Sequence, residues 1–249
     1  MALARTAVPI LAFDEIDSTN SEARRRADAG EAGPVWIIAL RQTAGRGRRG
    51  RNWETGQGNL AATLLMTTTR EPRDAAQVSF VAALAASDLA RAWLPAEQVK
   101  VKWPNDILVD GKKLAGILVE SGQRRDGGLW LAIGVGFNLA KAPQTPERPA
   151  TTLADETRTP PPEPRAALEG LAAAFADWLE VWDDKGFAAI AAAWTARAHG
   201  LGQTCTARLP TETIEGVAEG LDADGALRLR LADGALRRIT AGDVFFGSL

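Results

Sequence analysis

The stretch that decides the fold runs from Val99 to Phe137 and reads VKVKWPNDILVDGKKLAGILVESGQRRDGGLWLAIGVGF. Four short apolar runs stand close together in it: Val99 to Trp103, Ile107 to Val109, Leu114 to Glu120 and Leu129 to Phe137. Each is rich in β-branched residues and bounded by turn formers, the pattern of consecutive strands. Asp110-Gly111 between the second and third is a strong hairpin signal. Pro104 interrupts the ladder between the first and second, because proline has no N–H to donate. Asn105 and Asp106 therefore stand exposed at a break in a sheet. An asparagine there can read a purine edge with donor and acceptor together, and a turn closed by its own side chains is an equal reading. Lys113 opens a buried strand and can point its ammonium into a cleft, although a surface hairpin lysine is the commoner case. Gly116, Gly134 and Gly136 interrupt the strands where a ligand or another backbone comes close, or where a bulge sits.

Upstream of this stretch, Val8 to Phe13 reads as a first strand. Asp17-Ser18-Thr19-Asn20 opens a helix that ends near Gly30, with Thr19 and Glu22 at capping-box spacing and Asp17 and Ser18 as rival caps. Val35 to Leu40 and Leu60 to Thr67 are strands, and Asp74 to Leu94 is one long amphipathic helix. Downstream, Pro143 to Pro164 is rich in proline and threonine and reads as irregular. Arg165 to Ala198 gives two helices split near Lys185-Gly186. From about Leu201, short strands alternate with turns, which predicts a small β-barrel.

Between the early strands, Thr43 to Gly58 has no apolar periodicity and reads as a loop. Its centre is Gly45-Arg46-Gly47-Arg48-Arg49-Gly50-Arg51-Asn52-Trp53. The match to G-x-G-x-x-G is formal only. That fingerprint needs a helix opening inside it and an acidic residue about 20 positions on, whereas this one continues into Asn52-Trp53-Glu54-Thr55-Gly56. Glycines interleaved with arginines suit a loop wrapping a polyanion: glycine lets backbone N–H groups approach, and arginine brings forked donors for phosphate or carboxylate. A solvated basic loop is the plainer alternative. No P-loop pattern occurs.

Composition removes several function classes. The net charge of −2 gives no global basic field, so any anion site is local. A single cysteine, Cys205, excludes an internal disulfide framework and fits a reducing compartment. With one histidine, His199, near a helix C-terminus, a His/Cys metal cluster and a Ser–His–Asp or Cys–His hydrolase are both poor readings. His199 reads as a cap or a solvated side chain. The tryptophans at 178, 182 and 194 are most simply packing residues. No signal peptide and no membrane span are read, so the expectation is a cytoplasmic chain.

Taken together and in this order, these segments resemble the biotin–protein ligases. Asp17 to Asn20 is similar to that family's D-S-T-N, Gln42 to Trp53 to its Q-x-A-G-R-G-R-x-G-R-x-W loop, and Lys102 to Asp106 to K-W-P-N-D. Lys113 to Glu120 is similar to K-L-A-G-I-L-V-E, Gly134 to Asn138 to G-x-G-x-N, and Glu215 to Leu227 to the family's C-terminal domain. The resemblance implies an α+β fold: a mixed β-sheet flanked by helices over residues 1–200 and an SH3-like barrel over 201–249. It implies that ATP, with Mg²⁺, activates biotin as biotinyl-5′-AMP, and that a lysine of a biotin carboxyl carrier domain, from acetyl-CoA carboxylase or a related carboxylase, then takes the biotin. By the same resemblance Ser18, Thr19, Asn20 and Gln42 would hold the biotin head. Arg46, Gly47 and Arg48 would close over biotin and phosphate, with Arg51 assisting at the phosphates. Lys113 would meet the carboxylate and the developing phosphate charge, and Gly116 would line the biotin tail. Asn105 and Asn138 would face the adenylate, and Asp106 would help hold Mg²⁺. Lys113, Arg48 and Arg51 are the expected catalytic residues.

Two departures stand out. Where many members carry an aromatic after Asn-Leu, this chain has Ala61 after Asn59-Leu60, so its biotin pocket is wider or filled from elsewhere. The ligase-like region also starts within the first dozen residues, which leaves no room for the DNA-binding helix-turn-helix of the ligase–repressors; no DNA binding is expected. A lipoate or octanoate ligase and a non-catalytic biotin sensor are the rival readings.

Overall fold

The structure is a computed structural model that describes residues 8–143, 149–157 and 159–247. Its first half builds β1 (Ile10–Ile16), α1 (Thr19–Asp28), β2 (Val35–Gln42), β3 (Leu60–Thr68), α2 (Pro72–Ala75) and α3 (Val78–Arg91). There follow β4 (Val99–Lys102), β5 (Asp106–Val109), β6 (Lys112–Gln123), β7 (Leu129–Phe137), α4 (Leu153–Glu156) and α5 (Pro164–Ala196). The chain ends in β8 (Thr204–Arg208), β9 (Thr213–Leu221), β10 (Leu227–Arg230), β11 (Leu236–Ile239) and β12 (Asp243–Phe246).

The first seven strands form one sheet in the order β1-β2-β3-β7-β6-β5-β4. Only β1 and β2 pair in parallel, so the sheet is mixed. Alternation along each strand divides its residues between two faces. On β3, Leu60, Ala62, Leu64 and Met66 enter the main core, where α3 and α5 pack. Trp36 meets Phe175 edge to face there, with centroids 6.0 Å apart, a geometry that adds about 0.5–1.5 kcal/mol beyond the buried area. The opposite face carries Val35, Ile37, Leu65, Trp130 and Ala132, which close on Ala23 of α1. That second apolar cluster is small, because α1 covers only part of the sheet. The uncovered part, beyond the N-terminus of α1, is where a cavity opens.

The five C-terminal strands form an antiparallel sheet in the order β11-β10-β9-β8-β12, in the region where the small barrel was expected. Its buried residues Cys205, Ala207, Leu227, Leu229 and Val244 join the same apolar cluster as α3 and α5. Gly225 sits against the rings of Phe80 and Phe187, and its carbonyl accepts a hydrogen bond from Trp103 Nε1 at 3.1 Å. His199 packs in the same seam, edge-on to Phe246 at 5.3 Å. Burial, with Lys102 and Lys100 nearby, pushes its pKa down. It is a packing residue between the two sheets rather than a helix cap or a solvated side chain.

Four other expectations are corrected. The helix over Asp74 to Leu94 is two helices, α2 and α3, joined through Ala76 and Gln77. Ser18 is the N-cap of α1 but makes no capping bond with its side chain. The capping box fails because its partners are occupied: the Thr19 hydroxyl bonds Gln42 and Thr63, and Glu22 pairs with Arg25 and Arg26. The segment 143–164 is not irregular throughout. Thr152 caps the short α4, accepting from the Asp155 N–H at 2.9 Å, while positions 144–148 and 158 lie outside the described residues. The predicted split near Lys185-Gly186 does appear, as Gly186 takes φ 70° inside α5. Trp182 and Trp194 are buried and Trp178 half-buried, in keeping with packing.

Candidate active site

A cavity of about 280 Å³ lies on the α1 face of the sheet. Ser18, Thr19, Asn20, Gln42, Arg46, Gly47, Arg48, Arg51, Asn105, Asp106, Lys113, Gly116 and Asn138, all singled out in the sequence, line it. They come from six separate parts of the chain.

The floor is set by small residues. Gly136 pairs with Ala61 on β3 and with Gly116 on β6, giving a row across three strands with almost no side chain. The indole of Trp53 lies on this row: a Cβ added at Gly136 would come within 2.2 Å of Trp53 Cε2, and one at Gly116 within 3.3 Å of its Cζ3. The space left by Ala61 is thus partly filled from the arginine loop. Gly116 was expected to line the biotin tail; in this structure Lys113 Nζ and Trp53 stand over it.

Lys113 reaches the cavity because the strand is irregular. The register between β5 and β6 shifts, with Ile107 opposite Ala115 but Leu108 opposite Lys113, so Leu114 is the extra residue of a bulge. Leu114 and Ala115 both enter the core. Strict alternation would put Lys113 on the core side with Ala115; the bulge turns it to the cavity side with Gly116. Its ammonium lies 2.5 Å from Asp106 Oδ1 and 5.4 Å from the centre of the Trp53 ring.

One end of the cavity is a polar cluster at the start of α1. Gln42 Oε1 accepts from the Thr19 N–H at 2.8 Å and the Thr19 hydroxyl at 3.1 Å. The Thr63 hydroxyl bridges Thr19 and the Asn20 side-chain oxygen. Asn20 Nδ2 donates to the Leu118 carbonyl and to Glu120. Ser18, Thr19 and Asn20 are all buried. Asp17 stands just outside, where its hydrogen bonds from Arg25 hold its pKa down to about 2.

The arginine loop is more ordered than its composition suggests. The Trp53 N–H donates to the Gly45 carbonyl and the Gly47 N–H to the Arg51 carbonyl, so the two limbs pair like a hairpin. The tip turns through Arg49 at φ 58° and Gly50 at φ 72°. Arg46 points toward α1 and β6, reaching Ser21 and Glu120. Arg48 sits deeper and donates to Asn105 Oδ1 at 3.4 Å and the Gly242 carbonyl at 3.2 Å. Burial pushes the Arg48 pKa down, against the pull of Asp243 and Asp106. Arg49 and Arg51 both pair with Asp243, at the start of β12.

The far end holds the two asparagines. Asn105 Nδ2 donates to the Ile117 carbonyl at 2.6 Å, which fixes its amide. Asn138 is buried and donates to the carbonyls of Thr151 and Lys113, while its Oδ1 has no partner. A buried amide oxygen without a donor costs about 1–3 kcal/mol, and here it belongs to a residue that lines the cavity. The strap 149–157 runs alongside, with the Thr151 N–H donating to the Lys113 carbonyl and Lys112 paired to Glu156.

Asp106 stands at the cavity wall. Its carboxylate is engaged by Lys113, and among the described residues no group of three or more His, Cys, Asp or Glu could hold a metal ion. Three site residues carried no assignment from sequence. Thr63 was detectable as the one hydroxyl inside the run Leu60 to Met66. Glu120 closes a quoted motif, but nothing in the sequence said what it touches. Asp243 follows Gly242 in the tail with no motif around it.

Comparison with known proteins matches this architecture. A model of the Biotin/lipoate A/B protein ligase family covers residues 12–138, and one of the Biotin protein ligase C terminal domain covers 200–247. A biotin–[acetyl-CoA-carboxylase] ligase of Paracoccus denitrificans is 45% identical over 93% of this chain and 98% of its own. The biotin protein ligase of Aquifex aeolicus, solved in complex with biotin and ATP, superposes with a TM-score of 0.79 over 96% of this chain and 98% of its own, at 24% identity. The Leishmania major biotin protein ligase, solved with biotinyl-5-AMP, does so with a TM-score of 0.67 over 94% of this chain and 99% of its own, at 27% identity. Sequence and fold agree, and the chain belongs to the biotin protein ligase family.

Proposed function

We propose that this chain is an ATP-dependent ligase that activates biotin as biotinyl-5′-AMP and transfers it to a lysine of a biotin carboxyl carrier domain. One observation carries the reading. A single cavity is lined by a buried polar cluster at one end, by an asparagine with an unpaired buried amide oxygen at the other, and by Lys113 and Arg48 between them. Biotin has a polar ureido head, an apolar tail and a carboxylate, and that order fits the cavity from Ser18, Thr19, Asn20 and Gln42 toward Lys113. Two anions must then meet, the biotin carboxylate and the α-phosphate of ATP. Local cations offset their repulsion and hold them in line.

The carboxylate oxygen attacks the α-phosphorus, the bond to the β-phosphate breaks and pyrophosphate leaves. Lys113 and Arg48 hold the charge that develops on the α-phosphate, and Arg51 takes the phosphates in exchange for Asp243. The unpaired Asn138 Oδ1, once uncovered by the nucleotide, suits the exocyclic amine of adenine, with Asn105 on the same side of the cavity. A neutral lysine amine of the carrier next attacks the acyl carbon, and AMP departs with the bond electrons. No protein nucleophile is needed. Mg²⁺ would enter as part of the nucleotide, since Mg²⁺ bound with phosphates needs only one or two carboxylates. We take residues 1–200 as the catalytic unit and 201–249 as the C-terminal one, and the enzyme as cytoplasmic and independent of DNA. Among the described residues no helix is long and apolar enough to cross a membrane.

The test is intact-mass analysis of a carrier domain incubated with the protein, ATP, Mg²⁺ and either biotin or lipoate. A single ATP-dependent gain of biotin supports the reading; a lipoate-only gain reverses the substrate, and tight biotin binding with no gain leaves a sensor. Arg48→Gly carries a second expectation. Removing the half-buried guanidinium over the phosphates should release the adenylate sooner, with a loss of roughly ten- to a hundredfold in its affinity. Labelling of bystander proteins should then rise, and an unchanged bystander signal would remove Arg48 from retention.

A further inference from the structure

Behind the biotin end of the cavity, one carboxylate holds two parts of its wall together. Glu120 lies on β6, on the same face as Gly116 and Leu118. Its Oε2 accepts from Asn20 Nδ2 at 2.8 Å, and Arg46 Nη2 lies 3.3 Å from its Oε1 and 3.4 Å from its Oε2. Asn20 and Arg46 line the cavity. The first belongs to the fixed wall at the start of α1 and the second to the arginine loop that arches over it.

We propose that Glu120 is a positioning residue that latches the arginine loop over the biotin end of the cavity while fixing the Asn20 amide beneath it. The inference deepens the ligase reading and rests on it. The chemistry is specific to a carboxylate. An ionised carboxylate only accepts, so it takes an N–H from Asn20 and an N–H from Arg46 at once. Asn20 Oδ1 then faces the Thr63 hydroxyl, which donates to it at 2.7 Å. Arg46 is pinned on its other side by Ser21 Oγ at 3.0 Å, so the limb of the loop nearest β6 is tied at one point to two elements of the wall. The Arg46–Glu120 pair is half-exposed. Such a pair opens and closes readily, as a loop that must admit biotin requires. Loop and wall thereby close together.

The experiment compares wild type with Glu120→Ala and Glu120→Gln. In the ligand-free protein, trypsin nicking within residues 46–51 should be about 1.5- to fivefold faster for Glu120→Ala, the range expected for losing one half-exposed charged pair. In steady state the KM for biotin should rise by a similar factor while kcat stays within about twofold. Glu120→Gln keeps an acceptor oxygen and should recover part of both effects. In an Arg46→Ala background, Glu120→Ala should add less to nicking than it does alone. Unchanged nicking would overturn the latch. So would a parallel loss of kcat and melting temperature with no KM change, because that marks a purely structural residue. If wild type ligates no biotin, the ligase reading fails by itself, and the nicking arm still decides the latch.

Discussion

Replacing Lys113 with alanine should slow biotinyl-adenylate formation by about 10²–10³-fold, the usual effect of removing one preorganised group that stabilises developing charge. The ammonium stands at the centre of the cavity, held 2.5 Å from Asp106 and lying over Gly116. No other lysine in the described site lies so deep between the polar cluster and the asparagines. The cost to stability should be smaller, about 1–3 kcal/mol, because the mostly buried Asp106 carboxylate loses a charged partner. Pyrophosphate release at saturating biotin and ATP reads the first effect, and thermal melting reads the second. Lys113→Ala combined with Asp106→Asn separates them: it should recover stability without recovering rate. Wild-type pyrophosphate release from Lys113→Ala would take Lys113 out of the mechanism.

The second large effect is expected at a position that carries no functional group. A methyl at Gly134 would lie 2.2 Å from Asn20 Oδ1 and 3.3 Å from the Leu118 carbonyl. Asn20 cannot yield freely, because its amide is held by Thr63, Leu118 and Glu120. Gly134→Ala should therefore break this network, at an overpacking cost of about 1–3 kcal/mol. The polar end of the cavity would be displaced with it, and biotin affinity should fall by roughly tenfold or more. Calorimetric titration with biotin and a melting curve measure the two together. Gly111→Ala is the control for stability, because Gly111 meets nothing within 4 Å but takes φ 79°, which alanine resists. Destabilisation at Gly111 with normal biotin affinity, beside lost affinity at Gly134, would assign the second effect to Asn20. Normal affinity in Gly134→Ala would show that Asn20 can move without loss.

Much of the strand order and the helix positions was legible because local patterns agree with the fold. The hairpin at Asp110-Gly111, the two halves of α5 and the short strands of the tail follow from turn chemistry and apolar period alone. The candidate site was legible for a different reason: the motifs quoted between Asp17 and Asn138 all contribute to one cavity, while Glu215 to Leu227 lies outside it. The capping box at Thr19 and the irregular reading of 143–164 failed because tertiary partners outbid local ones. The Thr19 hydroxyl donates to Gln42 and accepts from Thr63 rather than capping its own helix, and 149–157 is held by backbone bonds to Lys113 at the start of β6.

Read with its family resemblance, the sequence by itself picked out a set of residues, from the arginine-glycine loop to the strand-opening lysine and the strand glycines, that line one cavity, but not Thr63, Glu120 or Asp243. Only the tertiary structure decided what each one faces. Strand alternation puts Lys113 on the core side, and the bulge at Leu114, visible only once β5 and β6 are in register, turns it into the cavity. Ala61 looked like a gap until Trp53 was found lying over the row it shares with Gly136 and Gly116. The partners Glu120 and Asp243 lie 74 and 192 residues from the arginines they hold. Pairing at such separations depends on how sheets and loops pack in space, and no local pattern encodes it.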